Sequence, residues 1–240
     1  MIPLKKIDIT KVLFLDIETV PQFANHSELP ELLSELWSIK ALKLAKNGEL
    51  PEEIYSKAGI FAEFGKIVCI SVGVCFYRDN VLKCRIKSFA GDDEAVLLND
   101  FVTLLNDFYK TDDNFLCAHN GKEFDFPFLA RRMVVNRIDI PLALDVRGAK
   151  PWETPFIDTM DLWRFGDYKS YTSLKLLTTI LGIPSPKDDI DGSMVCNVYW
   201  KEKDLQRIEK YCRKDVWAII NLFLRYANKE IVSEDNIENV

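Results

Sequence analysis

Histidine is almost missing: the 240 residues contain two, His26 and His119, too few for a histidine-rich zinc centre. The six cysteines, at positions 69, 75, 84, 117, 196 and 212, form no C-x-x-C pair and show no metal-ligand spacing. Several lie in apolar, strand-like runs, where a free buried thiol is the ordinary state. No apolar run is long enough to span a membrane and no secretory leader is visible, so the expectation is a chain in the reducing cytoplasm with no membrane contact. Positive charge is in deficit as well. Lys and Arg number 31 against 37 Asp and Glu, a formal charge of −6 and a pI ≈ 5.1. Internal repeats and low-complexity tracts are absent. With 48% hydrophobic and 28% charged residues, the chain reads as one large globular domain over residues 1–240.

What the chain has instead is acid at three particular places. Asp16 and Glu18 close the apolar run of KVLFLDIETVP. Residues 12–17, almost all apolar and bounded by charge, read as a buried strand. Two residues apart, the carboxylates share one face of it, at the carboxyl end where α/β sheets open to ligands. Asn120, Phe124 and Asp125 sit in FLCAHNGKEFDFPFLARR, a strand running through a loop into a helix. Tyr211 and Asp215 lie in RIEKYCRKDVWAIINLF, whose apolar groups recur at helical spacing. They are i and i+4 neighbours on one face, and Asp215 lies in or beside a buried stripe, where a lone carboxylate is costly and a cation would remove the cost. Singly, each piece is commonplace: Asp-x-Glu is frequent, loops are rich in Asn and Asp, and a Tyr four residues before an Asp is usually packing. The ordered combination, one at a strand end, one in a strand-to-helix loop and one on a late helix, is what carries information.

In that order the three motifs resemble those of the DEDD, or DnaQ-like, 3′–5′ exonucleases: Asp-x-Glu, Asn-x-x-x-Phe/Tyr-Asp and Tyr-x-x-x-Asp. The histidine subgroup would carry His where Lys210 stands, so the likeness is to the tyrosine subgroup. The wording FLDIET, NGKEFDFPFL and YCRKDV is nearest to the proofreading exonuclease domain of family B DNA polymerases, over residues 11 to about 226. No polymerase domain follows, and the expectation is a stand-alone relative. The resemblance implies a ribonuclease H-like α/β fold, with a central five-stranded mixed sheet flanked by helices. It implies catalysis by Asp16, Glu18, Asp125, Tyr211 and Asp215. The four carboxylates would hold two Mg²⁺ or Mn²⁺ ions, and Tyr211 would orient the attacking water. Thr19, Asn120 and Phe124 would contact the nucleic acid. The implied reaction is metal-dependent removal of nucleotides from the 3′ end of DNA, single-stranded ends preferred. The motifs leave two alternatives open: RNA as substrate, since 2′-hydroxyl contacts come from other residues, and a non-catalytic nucleic-acid binder on the same fold. The acidic balance is unusual for a nucleic-acid enzyme, but part of it is the cluster itself, which bound cations would offset.

The remaining segments yield smaller expectations. Residues 22–62 read as an amphipathic helical insertion between two strands that pair. Asp92 or Asp93 caps a helix reaching about Tyr109. Pro127 suits the first turn of the next helix, strand five falls near TPFIDTMDL, and residues 173–181 form a helix. Asp158 and Asp161 read as capping or structural acids. The turn-rich loop within 182–200 carries Asp188, Asp189 and Asp191, read as a solvated turn. His26 reads as a surface group. His119 is open between packing and substrate contact. Lys122, Arg131 and Arg132 are balanced between phosphate contacts and a solvated helix face. The polar tail after residue 228 is expected to fray.

Overall fold

The computed structural model describes residues 4–239 apart from 47, 111–112, 151–152, 168–170 and 185–189. Its strands are β1 (Val12–Pro21), β2 (Gly65–Arg78), β3 (Val81–Ala90), β4 (Phe115–Ala118), β5 (Ile157–Asp158) and β6 (Ile237–Asn239). Its helices are α1 (Glu31–Leu44), α2 (Glu94–Phe108), α3 (Asp125–Val135), α4 (Thr159–Arg164), α5 (Leu174–Ile180), α6 (Val195–Asn197) and α7 (Leu205–Tyr226), with a π-helical turn over Val198–Glu202 between the last two. The strands form one sheet in the order β5-β4-β1-β2-β3-β6. β2 runs against its neighbours β1 and β3, and the other pairs are parallel. The chain runs β1, α1, β2, β3 and then alternates helix with strand, and a mixed sheet with one reversed strand flanked by helices is the ribonuclease H-like arrangement.

β1 is apolar on both faces because both are covered. On one side Leu13, Leu15 and Ile17 pack with Leu98 and Phe101 of α2 and Leu129 of α3. On the other, Val12 and Phe14 meet Val216, Ile220 and Phe223 of α7, with the rings of Phe14 and Phe223 edge to face at 5.5 Å. Gly73 sets how closely α7 approaches. A Cβ there would stand 2.7 Å from Val216 Cγ1 and 3.0 Å from Ile220 Cδ1, so the bare backbone lets the helix lie against the sheet. β2 and β3 join through Asp79 and Asn80, both at positive φ (52° and 62°), the backbone of a two-residue type I′ hairpin.

Several expectations change. The sheet has six strands rather than five, and the tail does not simply fray. Ile237, Glu238 and Asn239 pair in parallel with Cys84, Arg85 and Ile86, Ile237 packs against the α7-side core, and Glu238 bridges Arg78 and Arg85 at 2.5 and 2.9 Å. Three residues carry no legible strand periodicity; the open edge of β3 supplies the template. The insertion is α-helical only over α1, with a 3₁₀ segment at Tyr55–Ile60. It builds a satellite core around Trp37, which donates through Nε1 to Pro51 O at 2.9 Å. Its amphipathic pattern does not translate into burial: α1 buries Trp37 and Ala41 and leaves Leu32, Leu36, Ile39 and Leu42 exposed. α3 begins at Asp125 itself, two residues before Pro127.

Candidate active site

The site forms where β1 outruns β4. The parallel pairing of these strands covers Val12 to Phe14. Beyond it the chain after β4 turns away, and the freed N–H of Ile17 is taken by Asp125 Oδ1 at 3.2 Å. Asp125 stands in the first turn of α3, where the helix dipole favours a carboxylate. Asp16 and Glu18 point to the opposite face, toward α7, as the alternation from Val12 and Phe14 requires. The β1–β2 register slips between Glu18 and Thr19, a bulge of the kind that re-aims side chains beside active sites.

α7 brings Tyr211, Cys212 and Asp215 to that face. The Tyr211 phenol donates to Asp215. The Cys212 thiol lies 3.4 Å from both the backbone oxygen and Oδ2 of Asp16. One ligand atom each from Asp16, Glu18 and Cys212 falls within 4.8 Å of the others. Composition gives no sign that this thiol borders the carboxylates; its place beside Tyr211 on the helix's apolar stripe is the one clue in the sequence.

The electrostatics are those of an uncompensated anionic cluster. Burial first, then Glu18, Asp215 and Asp125, hold the Asp16 carboxyl well above the usual range. Burial and then Asp215 do the same to Glu18. Asp125 is pushed up to about 7, mainly by burial and further by Asp158 and Asp215. The Tyr211 phenol is raised by burial and by the same acids, so it stays protonated. Glu18 is 7% exposed, and among the described residues no hydrogen-bond donor or cation compensates it. Carboxylate oxygens unneutralised by protein suit hard divalent cations, so the donor set fits Mg²⁺ or Mn²⁺.

The loop that delivers Asp125 is pinned from below. Asp158 accepts from the N–H groups of Asn120 (2.9 Å), Lys122 (3.1 Å) and Met160 (2.9 Å), joining the loop to the start of α4. Asn120 sits at φ 61° with its side-chain oxygen buried and without a protein partner. Phe124 packs on Phe128 with ring centroids 5.4 Å apart. Thr19 follows Glu18 at the bulge. Among the described residues, none of Thr19, Asn120 and Phe124 hydrogen-bonds to Asp16, Glu18 or Asp125.

Other candidates sort differently. His119 is committed through both ring nitrogens, to Thr159 Oγ1 (2.9 Å) and Thr172 O (3.1 Å), a structural role. His26 is not a bare surface group: it meets Ser34 Oγ at 3.1 Å and the Tyr55 ring. Arg132 is neither a phosphate ligand nor a solvated side chain. It is buried against Glu94 at 2.6 Å. Lys122 pairs with Asp161 at 3.2 Å, and Arg131 is exposed. Asp93 caps α2 and Asp158 caps α4. Asp191 closes a local turn onto Ser193, while Asp188 and Asp189 lie outside the described residues. A cleft of about 820 Å³ between β3 and α2, lined by Lys87, Phe89 and Asp100 among others, contains none of the carboxylates of the cluster.

A family model described as "Predicted 3′-5′ exonuclease related to the exonuclease domain of PolB" matches residues 60–238, about three quarters of the chain. The match includes Asn120, Asp125, Tyr211 and Asp215; it begins after β1, so Asp16 and Glu18 precede it. No curated protein matches. Among solved structures, the family B DNA polymerase from the hyperthermophilic archaeon Pyrobaculum calidifontis is similar with a TM-score of 0.49 and 16% identity. The similarity covers 91% of this chain and 27% of the polymerase chain, so this chain spans about a quarter of that protein's length. Among the described residues no helix is long and apolar enough to cross a membrane.

Proposed function

The chain belongs to the family of predicted 3′–5′ exonucleases related to the exonuclease domain of PolB, and from that premise we propose that it is a single exonuclease domain that shortens DNA from the 3′ end, unpaired ends first, with two Mg²⁺ or Mn²⁺ ions. The observation that carries the reading is the convergence of acids from β1, α3 and α7 in which Glu18, 7% exposed, has no compensating group. Folding accepts the cost of such a cluster only where something else neutralises it.

Asp16, Glu18, Asp125 and Asp215 are the residues that would hold the ions. When bound, the ions supply charge neutralisation at the scissile phosphate and a lowered pKa for the attacking water. The rest falls to the chain. Tyr211, kept neutral by burial and by its bond to Asp215, offers a hydroxyl to position the water. Asp158 ties down the Asn120–Asp125 loop through the Asn120 and Lys122 N–H groups, so that Asn120 and Phe124 meet the terminal nucleotide in a preset arrangement, with Thr19 contributing from the bulge. A paired terminus must open before it reaches this recess, at about 1–2 kcal/mol per stacked step, hence the preference for unpaired ends.

The test is digestion of 5′-labelled single-stranded DNA, blunt duplex and RNA, with Mg²⁺, Mn²⁺ or chelator. The reading expects a stepwise shortening ladder on single-stranded DNA, slower cutting of blunt duplex and RNA, and none in chelator. Activity in chelator, early release of the 5′ label, or nicking of a closed circle refutes it.

A further inference from the structure

The π-helical turn Val198–Glu202 is used by nothing described so far. Single π turns are rare and concentrate at functional sites, and the next residue, Lys203, is left-handed at φ 57°, a conformation a side chain of that size seldom adopts. The turn presents Trp200. Its Nε1 donates to Pro21 O at 3.1 Å. Pro21 lies three residues past Glu18, or about 10 Å along an extended strand. The ring lies on the carboxylate face: Val20, which shares that face with Asp16 and Glu18, packs with Val198, Tyr199 and Cys212, and Trp200 and Tyr211 both pack against the same group.

The surroundings of the ring are unlike those of a core tryptophan. Lys203 Nζ stands 4.8 Å and Lys66 Nζ 5.2 Å from its centroid. Lys66 is held in place, donating to Tyr199 Oη at 2.8 Å while that hydroxyl donates to Asp92 at 2.6 Å. Tyr199 braces the indole edge to face at 4.9 Å. Lys203 is exposed. The result is a half-buried aromatic ring on a fixed mount, with an exposed cation at its rim, on the side of β1 that bears the carboxylates.

We propose that Trp200 stacks a base of the single-stranded substrate upstream of the terminal nucleotide, with Lys203 moving from the ring to the adjoining phosphate. The inference rests on the exonuclease reading. An exposed cation–π contact is weaker than base–indole stacking, so a base displaces Lys203 with a net gain. Stacking also answers the charge problem. A chain of formal charge −6, whose motif-adjacent Lys122 and Arg132 are already paired with acids, gathers affinity poorly through phosphate contacts alone. A π face accepts any base, which suits an enzyme that must process every sequence.

The experiment compares Trp200→Leu with Trp200→Phe. Both lose the bond to Pro21, both keep apolar bulk, and only Phe keeps a ring. Anisotropy with Mg²⁺ and a fluorescent oligothymidylate, its 3′-terminal linkage alone replaced by an uncleavable methylphosphonate so that the upstream phosphates keep their charge, should show binding about tenfold weaker for Trp200→Leu and within about threefold for Trp200→Phe. The dependence of affinity on salt should not change in either, because no ionic contact is removed. In hydrolysis, Trp200→Leu should raise KM for the oligomer at least about five times more than for the p-nitrophenyl ester of thymidine 5′-monophosphate, which has no upstream base to stack. Equal binding by Leu and Phe variants, or by Leu and the parent, overturns the inference. If the parent cleaves neither substrate, the exonuclease reading falls, and the anisotropy comparison still decides the stacking.

Discussion

Replacing Glu18 with Gln should stabilise the metal-free protein while disabling it. The substitution keeps the shape of a side chain that is 7% exposed and removes a charge that burial, Asp215, Cys69 and Asp125 all oppose. The scale follows from the spacing. Ligand atoms of Glu18 and Asp16 lie within 4.8 Å, and two unit charges that far apart repel by about 3–4 kcal/mol at an effective dielectric near 20. The parent relieves part of this by holding protons, so the gain at pH 8 should be about 1–3 kcal/mol, or a Tm increase of about 2–10 °C. The sign with pH is fixed. A carboxyl raised in the folded state costs stability above its folded pKa, and that cost disappears as pH falls through the folded value toward the unfolded one. Scanning fluorimetry in chelator should therefore show the variant above the parent at pH 8, with the gap closing on acidification. Adding Mg²⁺ or Mn²⁺ should raise the parent's Tm and move the variant's little, because ligand binding stabilises only the protein that binds it. A variant that melts lower than the parent in chelator at pH 8 would falsify the claim that Glu18 is an uncompensated anion.

Three other outcomes follow from the same geometry. Tyr211→Phe should cut the hydrolysis rate by about 10²–10⁴-fold with Mn²⁺ binding unchanged by calorimetry; weakened Mn²⁺ binding would make the phenol a ligand or a strut instead. Gly73→Ala should cost about 1–3 kcal/mol in a denaturant melt, since the new methyl meets Val216 Cγ1 at 2.7 Å, and it should lower activity by shifting α7 and Asp215; a neutral melt would show that α7 repacks freely. Arg132→Met should cost about 3–5 kcal/mol, because Glu94, 7% exposed, loses a partner at 2.6 Å; a melt within 1 °C of the parent would mean that water reaches Glu94.

The parts of the site that were legible in the sequence are those whose geometry is local. Two residues on a strand share a face and four on a helix share a face, so Asp16 with Glu18 and Tyr211 with Asp215 could be paired before any fold was known. β1 was legible for a related reason: a central strand must be apolar on both sides, and VLFL is. What could not be read depends on neighbours far along the chain. Arg132 and Glu94 are 38 residues apart and join only because α2 and α3 lie side by side on one face of the sheet; on α3 alone, Arg132 is indistinguishable from its exposed neighbour Arg131. β6 exists because β3 offers an unpaired edge, and no periodicity can be expressed in three residues. Trp200 is the sharpest case. Its sequence context, VYWKE, reads as an unremarkable polar-aromatic stretch, and its meaning comes from Pro21, 179 residues earlier, whose carbonyl fixes the indole beside the strand that bears Asp16 and Glu18. Spacing along the chain finds the acids of the cluster. The residues that hold those acids in register, and the aromatic face that would hold the strand against them, are set by which segments the sheet makes adjacent.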